Sequence, residues 1–190
     1  MTPPFHKPLS KPRALPPFQQ MWNNYPKGKP DEVATAIGGK VKDSVLPTLG
    51  TPNAWNTCTI RLSQSFNHAG DPIPKRHILK NAPDKHPMAT VPGADHMQYA
   101  YRVKDMDYYL RETYGPPAGT VHLKQGESLA SVLPPEKLLL IIYFKERDPG
   151  TGKESSASHA DLWDGKGIRY NDVSTIPHAD SFEIKYWELY

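Results

Sequence analysis

Residues 56–69, NTCTIRLSQSFNHA, contain the only cysteine of the chain, Cys58. Four small or apolar side chains recur in this stretch at helical spacing: Cys58, Leu62, Phe66 and Ala69. This spacing predicts an α-helix with one buried face, which begins after a cap at Asn56 or Thr57 and ends at Gly70. The thiol would therefore lie on the buried side of the first helical turn.

The position of this thiol allows two interpretations. Free cysteine is among the most buried residue types, and a buried cysteine is usually an inert core residue. At a helix N-terminus and beside an imidazolium, however, the pKa of a thiol falls from about 8.5 to about 3.5–7.5, which makes the reactive thiolate a major form. The choice between core residue and nucleophile therefore depends on whether the chain supplies a base.

His159 is the candidate base among the eight histidines. It opens a predicted strand in which alternation places His159, Asp161 and Trp163 on one face and Ala160 and Leu162 on the other. The other histidines lie in loops, in the N-terminal arm, on the helix of the cysteine or near strand ends without acidic neighbours. The sequence contains neither an HExxH pair nor a Cys/His cluster, so it predicts no zinc site and no cofactor.

Two aspartates are candidates for the acid that orients the imidazole of His159. Asp161 stands two residues further along the same strand, and Asp172 lies just past the returning strand of a hairpin that Asp164-Gly165 predicts. Cross-strand neighbours meet the geometry of a triad better than side chains at i and i+2, whose Cβ atoms run parallel about 6–7 Å apart. We therefore predict that Asp172 orients His159, that Asp161 faces solvent or substrate, and that Asp172→Asn impairs turnover far more than Asp161→Asn.

The composition restricts the class of protein. A chain of 190 residues is long enough for one domain with its own core. The 23 Lys and Arg residues barely exceed the 20 Asp and Glu residues and are scattered, which argues against a nucleic-acid binder. No stretch approaches the ~18 apolar residues that cross a bilayer, and the N-terminus lacks the apolar region of a signal peptide. The sequence thus predicts a soluble protein without an internal disulfide that is not exported by a cleaved signal.

Two parts are predicted along the chain, a Pro-rich extended or disordered arm at residues 1–17 and a single catalytic domain at residues 18–190. Helical spacing and stop signals predict further helices from Phe18, from a cap at Asp31 to the Gly38-Gly39 pair, and over DMDYYLRETY (105–114). Strand-like runs follow: LLLIIYF (138–144), SHADLWDG (158–165), GIRYND (167–172) and SFEIKYWELY (181–190). Helices first and an antiparallel sheet second predict an α+β fold.

A helix with a nucleophilic cysteine at its N-terminus, packed on an antiparallel sheet that carries a histidine, is the layout of papain-like hydrolases, including the NlpC/P60 peptidoglycan peptidases. Four runs resemble segments of one such family, the type VI secretion amidase effectors of the fourth family: AIGGKV (36–41), NTCTIRLS (56–63), GADHMQYAYRVKDMDYYL (93–110) and HADLWDG (159–165). The second run resembles the catalytic-cysteine segment of that family, and the fourth resembles its His-x-x-Leu-Trp-Asn/Asp-Gly strand.

The resemblance implies a papain-like (NlpC/P60-like) fold and a set of site residues. Cys58 would be the nucleophile, His159 the base and Asp172 the orienting acid of a cofactor-independent amidase. Its substrate would be the bond between γ-D-glutamate and meso-diaminopimelate in Gram-negative peptidoglycan. Asn56 would either support the Cys58 backbone N–H in holding the oxyanion or only cap the helix. Arg61 would either pack in the protein or meet a carboxylate of the stem peptide.

The resemblance also implies partners and a route. The protein would be made in the cytoplasm of an attacking bacterium and injected by a type VI secretion component into the periplasm of a neighbour. A cognate periplasmic immunity protein would occupy the active-site groove. Neither nucleic acid nor membrane insertion is expected.

Two other interpretations of the residues stay open at this point. One is a papain-like cysteine peptidase or acyltransferase that acts on a different amide. The other is a non-catalytic interaction module in which Cys58 is a core residue and the aromatic side chains bind a partner. Alkylation of Cys58 at pH 6 discriminates between them, because only a thiolate stabilised by its surroundings reacts there faster than an ordinary thiol.

Overall fold

The computed structural model describes residues 12–51, 57–146, 158–169 and 181–190. The described residues form helices α1 to α6: Phe18–Asn24, Pro30–Ile37, Gly39–Val45, Cys58–His68, Val103–Tyr114 and Leu129–Val132. They also form strands β1 to β6: Thr90–Pro92, Gln98–Ala100, Gly119–Leu123, Leu139–Lys145, Ser158–Trp163 and Phe182–Glu188. Helices therefore dominate the first part and strands the second, which confirms the predicted α+β order.

Four of the strands form one antiparallel sheet in the order β3-β6-β4-β5. Strand β4 has the apolar sequence LLIIYFK and pairs on one side with β6 and on the other with β5. A near-continuous apolar run is what a strand buried on both faces requires. Strands β1 and β2 form a separate two-stranded ribbon. Among the described strands, β5, which carries His159, lies at one edge of the sheet and pairs with β4.

The two faces of the sheet are covered by different parts of the chain. Ile142 of β4 and its cross-strand partner Ala160 of β5 belong to the core that contains the buried faces of α1, α4 and α5. Tyr143 and Trp163 belong to the opposite core, with Leu133. Ala160 and Leu162 thus face one core and Trp163 the other, which confirms the alternation predicted for this strand.

Helix α4 is the central helix of the fold. Its predicted face of Cys58, Leu62, Phe66 and Ala69 is buried in the core, as expected. Several of its polar side chains are buried as well. Two of them bond to neighbouring elements: the Ser65 hydroxyl donates to the Met21 carbonyl at 2.9 Å, and the amide of Asn67 donates to the Gln98 carbonyl at 2.9 Å. These bonds satisfy the buried polar groups and fix α4 against α1 and β2.

The Gly38-Gly39 pair joins two helices and does not end the helical region. Gly38 follows α2 directly, and Gly39 begins α3 with a φ of +57°. A Cβ on Gly39 would lie 2.6 Å from the carbonyl carbon of Gly93. The two glycine-containing runs AIGGKV and GADHMQYAY therefore pack backbone against backbone, which only glycine permits at this distance.

Several predicted boundaries are corrected. The cap of α2 is Lys29 and not Asp31, which lies in the first turn. A proline at the first helical position favours this earlier start, since its fixed φ suits a helix and its absent N–H is not needed there. Helix α3 and strand β3 are not predicted by the sequence.

The hairpin after β5 turns at Gly165 and Lys166. The backbone N–H of Asp164 donates to the Gly167 carbonyl, and the Asp164 carboxylate accepts from the N–H groups of Lys166 and Gly167. In the described part of the returning chain, Ile168 forms an antiparallel bridge with Trp163. The backbone N–H of Arg169 also donates to the Leu162 carbonyl at 2.8 Å. Residues 170–172 of the predicted strand GIRYND lie outside the described residues.

The described part of the predicted arm lies against the domain. Residues 12–17 form neither helix nor strand. Arg13 forms an ion pair with Asp71, and its guanidinium lies over the ring of Tyr114. Residues 1–11 lie outside the described residues. No helix in the described part of the chain is long and apolar enough to span a membrane.

Candidate active site

Cys58 is the first residue of α4, and only 2% of its surface is exposed. The residue before it, Thr57, is the N-cap, but its side chain makes no capping hydrogen bond. The first backbone N–H groups of a helix have no acceptor within the helix and carry a partial positive charge. The fold therefore places the sulfur where a negative charge is stabilised. Asn56, the other predicted cap, lies outside the described residues.

His159 lies near the beginning of β5 and next to Cys58, whose charge and polar contact act on the imidazole. Its ring is also close to that of its cross-strand partner Tyr143, with centroids 5.1 Å apart. Strand β5 and helix α4 thus bring together two residues that are about a hundred positions apart in the sequence. This contact supplies the base that the sequence requires for a nucleophilic Cys58.

Asp161 holds the other side of the imidazole. Its Oδ2 lies 3.0 Å from Nε2 of His159, and its Oδ1 accepts a hydrogen bond from the Leu162 N–H at 2.7 Å. Because Nε2 faces this carboxylate, Nδ1 is the ring nitrogen left for the sulfur of Cys58. The imidazole therefore lies between the cysteine sulfur and the carboxylate, which is the spatial order that nucleophilic catalysis requires.

The prediction that Asp161 faces solvent or substrate is wrong. Asp161 is fully buried and is bonded to His159. The prediction relied on the parallel direction of side chains at i and i+2. It neglected the reach of the two side chains, since an imidazole and a carboxylate together close the gap between their Cβ atoms. Asp172 lies outside the described residues, and its assignment as orienting acid stays a prediction.

The electrostatics of this trio favour a charged imidazole. Burial lowers the pKa of His159, but the negative charge of Cys58 and hydrogen bonds with Asp161 and Cys58 outweigh it and raise the pKa to about 10. Opposite charges at this distance favour each other's ionised form. At neutral pH the imidazole is therefore an imidazolium that donates to the carboxylate on one side and to the sulfur on the other.

The sequence allows two roles for Arg61, packing in the protein or contact with a carboxylate of the stem peptide, and the structure favours packing. Its side chain is fully buried, and its guanidinium donates to the carbonyl oxygens of Pro26 and Gly28, each at 2.8 Å. These carbonyls belong to the connection between α1 and α2. Arg61 therefore holds that connection on α4, and its burial argues against contact with a substrate carboxylate.

Sequence reasoning did not identify Tyr25 and Tyr143 as neighbours of the site. Tyr25 is spaced along α1 like a core residue, and nothing in the pattern distinguishes its hydroxyl from a ring that only packs. Tyr143 lies within an apolar strand run and contacts His159 only through cross-strand pairing. Among the described residues, no group of three or more His, Cys, Asp or Glu side chains could hold a metal ion.

Comparison with known proteins shows the family to which this chain belongs. The model of the family "type VI secretion system (T6SS), amidase effector protein 4", Tae4, matches residues 55–187. The matched segment contains Cys58, His159 and both candidate aspartates. A comparison with curated protein sequences finds no match.

Solved structures support the same relationship. The effector Tae4 from Salmonella typhimurium, solved in complex with the immunity protein Tai4 from Enterobacter cloacae, is 26% identical. The alignment covers 93% of this chain and 100% of that one, with a TM-score of 0.67. The type VI effector Tae4 from Enterobacter cloacae is 24% identical over 94% of this chain and 99% of that one, with a TM-score of 0.68, and supports the fold alone.

Proposed function

Because this chain belongs to the family of type VI secretion system amidase effector proteins 4, we propose that it is an antibacterial amidase that hydrolyses peptidoglycan stem peptides. The observation that carries the proposal is that Cys58 at the start of α4 and His159 on β5 meet, so that the charge of the sulfur acts on the imidazole. Together with the buried carboxylate of Asp161, this pair has the order of groups that activates a thiolate.

The reaction follows from these groups. The Cys58 thiolate attacks the amide carbonyl and forms a tetrahedral oxyanion. Collapse of this intermediate breaks the C–N bond, and His159 transfers its Nδ1 proton to the departing amine, which leaves a thioester on Cys58. His159, now neutral, takes a proton from water, and the resulting hydroxide attacks the thioester to release the carboxylic acid and regenerate the thiolate.

The first turn of α4 is suited to hold the oxyanion. We assign this role to the backbone N–H of Cys58, which lies at the positive end of the helix dipole. A second donor is proposed at Asn56, as the resemblance of the cysteine segment implies. The orienting acid is Asp161 on the geometry of the described residues, and Asp172 is the alternative that the resemblance implies.

The scissile bond is proposed to be the amide between γ-D-glutamate and meso-diaminopimelate. The support is family membership and the resemblance of the four sequence runs. The γ-carbonyl of D-glutamate becomes the acyl group on Cys58, and the amino group of diaminopimelate is the leaving group. One product therefore ends in D-glutamate, and the other carries a new primary amine on diaminopimelate. The D-glutamate end distinguishes this cleavage from hydrolysis of a cross-link, which can also free an amine of diaminopimelate.

A cognate immunity protein and delivery into a target cell complete the proposal. The Salmonella typhimurium relative was solved with the immunity protein Tai4. We propose that a protein of this kind binds over Cys58 and His159 and protects the producing cell. Because peptidoglycan lies in the periplasm of Gram-negative bacteria, the effector acts there after secretion.

The proposal is tested by incubating the purified protein with Gram-negative peptidoglycan sacculi and measuring the release of soluble fragments. The wild type is expected to release them, and Cys58→Ala is expected to release none while melting within a few degrees of the wild type. Ser63→Ala is a matched control, because it also removes one polar atom from a buried side chain of α4, more than one helical turn after Cys58. Equal release by the wild type and Cys58→Ala would contradict the proposal, and would favour a non-catalytic role for the cysteine.

A further inference from the structure

Arg169 lies on the chain that returns after β5, beside the strand that carries His159 and Asp161. Its backbone N–H donates to the Leu162 carbonyl at 2.8 Å. The N–H and C=O groups of one residue in an antiparallel strand point to the same side. On that side, the N–H of Leu162 donates to the Asp161 carboxylate at 2.7 Å. The backbone of Arg169 and the carboxylate of Asp161 therefore lie at the same edge of β5.

The side chain of Arg169 reaches helix α1 and lies over the indole of Trp22. The central carbon of its guanidinium is 4.6 Å from the ring centroid, which is within the range of about 6 Å for a cation–π contact. Trp22 packs against the core that contains Cys58. This contact holds the charge in one place and requires no N–H···O hydrogen bond. The guanidinium is thus positioned by α1 and the hairpin together.

The N–H donors of this guanidinium have no acceptor among the described residues. Its Nε is buried without a hydrogen-bond partner, and no ion pair of the described residues includes Arg169. Arg13, Arg61 and Arg111, in contrast, bond to carboxylates or to carbonyl oxygens. A guanidinium offers five donors in a planar fork that matches the two oxygens of a carboxylate. Arg169 is only half-buried, so this fork is accessible to an acceptor from outside the chain.

An unpaired guanidinium in this position favours a carboxylate ligand. Burial lowers the pKa of Arg169, while the charges of Asp161 and Asp164 raise it. The side chain stays charged, because arginine does not lose its proton in proteins. Asp161 bonds to the imidazole of His159 at 3.0 Å, and Asp164 accepts from backbone N–H groups of the turn. A partly desolvated cation without a partner is stabilised most by a charged acceptor that the substrate supplies.

The position of Arg169 corresponds to the leaving group of the reaction. Nε2 of His159 faces Asp161, so Arg169 lies on the side of the imidazole away from the sulfur of Cys58. Because His159 protonates the departing amine, diaminopimelate lies toward the imidazole. The side chain of diaminopimelate continues through a short methylene chain to a second carboxylate, which takes no part in the scissile bond. That distal carboxylate is the acceptor that the substrate can bring to Arg169.

We propose that Arg169 is a specificity residue of the site: its guanidinium, held over Trp22, binds the distal carboxylate of diaminopimelate. This inference rests on the proposed function and names the part of the substrate that the same site recognises. Lysine has a similar side chain without this carboxylate and would leave the guanidinium unpaired. A site built to hydrogen-bond a group rejects the analogue that lacks it. Arg169 therefore selects stems with diaminopimelate over stems with lysine at the third position.

Two synthetic tetrapeptides test the proposal: L-Ala-γ-D-Glu-meso-diaminopimelate-D-Ala and the same peptide with L-Lys at the third position. The wild type is expected to cleave the first with a kcat/KM about tenfold or more above that of the second. Arg169→Gln is expected to lower kcat/KM on the first peptide to the level of the second and to leave the second unchanged. Arg169→Lys keeps the charge but loses the fork, so it is expected to recover part of the loss.

A third tetrapeptide isolates the contribution of the carboxylate. It carries diaminopimelate with the distal carboxylate amidated, which keeps the size of the side chain and removes the charge. Arg169→Gln is expected to cleave all three peptides with similar kcat/KM. A role of Arg169 through the charge of Asp161, or through the fold, would instead lower kcat/KM on all three by the same factor. Such a uniform loss, or an unchanged preference, overturns the proposal.

Arg102→Gln is the matched control. It also removes a guanidinium that lies over an aromatic ring, 5.6 Å from the centroid of Tyr101. Tyr101, however, packs against the core around Val41 and Ile60 and not against the core of Trp22. This variant is expected to keep the wild-type preference for the diaminopimelate peptide. A loss of preference as large as in Arg169→Gln would mean that any lost cation weakens binding of an acidic peptide, and the proposal would be rejected.

Calorimetric binding to Cys58→Ala separates this inference from the proposed function. Without the sulfur this variant cannot hydrolyse the amide, and its Kd for the diaminopimelate peptide is expected to be about tenfold or more below that for the lysine peptide. Arg169→Gln in the same background is expected to remove the difference. If the wild type cleaves neither peptide but this difference is seen, the function is wrong and the role of Arg169 stands. Equal Kd values in Cys58→Ala reject the role of Arg169 even when the wild type is active.

Discussion

Asp161 reaches His159 although the two side chains leave the same strand only two residues apart. Alternation along β5 correctly predicts that they share a face, and helical spacing correctly predicts that Cys58 begins a buried helix face. The choice between Asp161 and Asp172 could not be made in this way, because it depends on side-chain torsions and on how the chain returns after the hairpin. Neither is encoded in a local pattern.

Replacement of Asp161 by asparagine tests the observed carboxylate. Asp161→Asn is expected to lower kcat by about 10²–10⁴-fold, because an amide no longer stabilises the imidazolium and can favour the wrong tautomer of His159. Release of fragments from sacculi at saturating substrate measures the effect. Asp164→Asn, in the turn of the same hairpin, keeps the acceptor Oδ1 and is expected to be near wild type.

The same assay with Asp172→Asn decides between the two acids. A large loss in Asp172→Asn together with near wild-type activity in Asp161→Asn would restore the preference drawn from the sequence. It would also mean that the bond between Asp161 and His159 does not orient the base during turnover.

The pKa of His159 predicts how the site responds to pH. Since the pKa is raised to about 10, the imidazole is protonated throughout the neutral range and loses its proton only as pH rises through about 10. The leaving amine needs that proton, and kcat/KM reports the ionisation of the free enzyme, so kcat/KM is expected to fall on the alkaline side near pH 10 and not near 6.5. In Cys58→Ala the negative charge that most raises the pKa is absent, while burial still lowers it. Imidazole NMR titration should therefore give a midpoint well below 10, and an unchanged midpoint would contradict the coupling.

At the scale of elements, long periodic segments were predicted best. Helix α5 begins and ends close to the predicted bounds, and its apolar residues at helical spacing are buried: Val103, Met106, Leu110 and Tyr114. Strand β3 was not predicted because its residues alternate between partial and full exposure, and only Leu123 is buried. Helix α3 was not predicted because a glycine pair is normally a stop signal. Its glycines are explained by contact with the Gly93 segment, which no local pattern shows.

That contact gives a prediction about stability. Gly39→Ala requires a side chain at a φ of +57° and places its Cβ 2.6 Å from the backbone of Gly93. Gly70→Ala also requires a side chain at positive φ, +89°, but its Cβ would contact nothing within 4 Å. Urea unfolding is expected to show a loss of about 1–2 kcal/mol for Gly70→Ala and roughly 2 kcal/mol more for Gly39→Ala. Equal losses would mean that the segments separate easily and do not fix the fold.

On the scale of the whole molecule, the four sequence runs that resemble the family have two different roles. The runs with Cys58 and His159 meet at the site, whereas AIGGKV and GADHMQYAY pack against each other in a separate core around Val41, Ile60 and Tyr99. This core is the third of the fold, beside the two cores on the faces of the four-stranded sheet. It packs against another side of α4, because Ile60 belongs to the same helix as Cys58. Motif order thus identified the family, but only the structure separates the residues of the reaction from those that hold its central helix.

The central claim is that this molecule cuts one amide of the peptidoglycan stem with Cys58. Mass spectrometry of muropeptides, after digestion of Gram-negative sacculi with the wild type and with Cys58→Ala, tests it most directly. The wild type is expected to produce fragments ending in D-glutamate together with fragments that carry a new primary amine on diaminopimelate, and Cys58→Ala is expected to produce neither. Unchanged muropeptides, or the same products from Cys58→Ala, would contradict it.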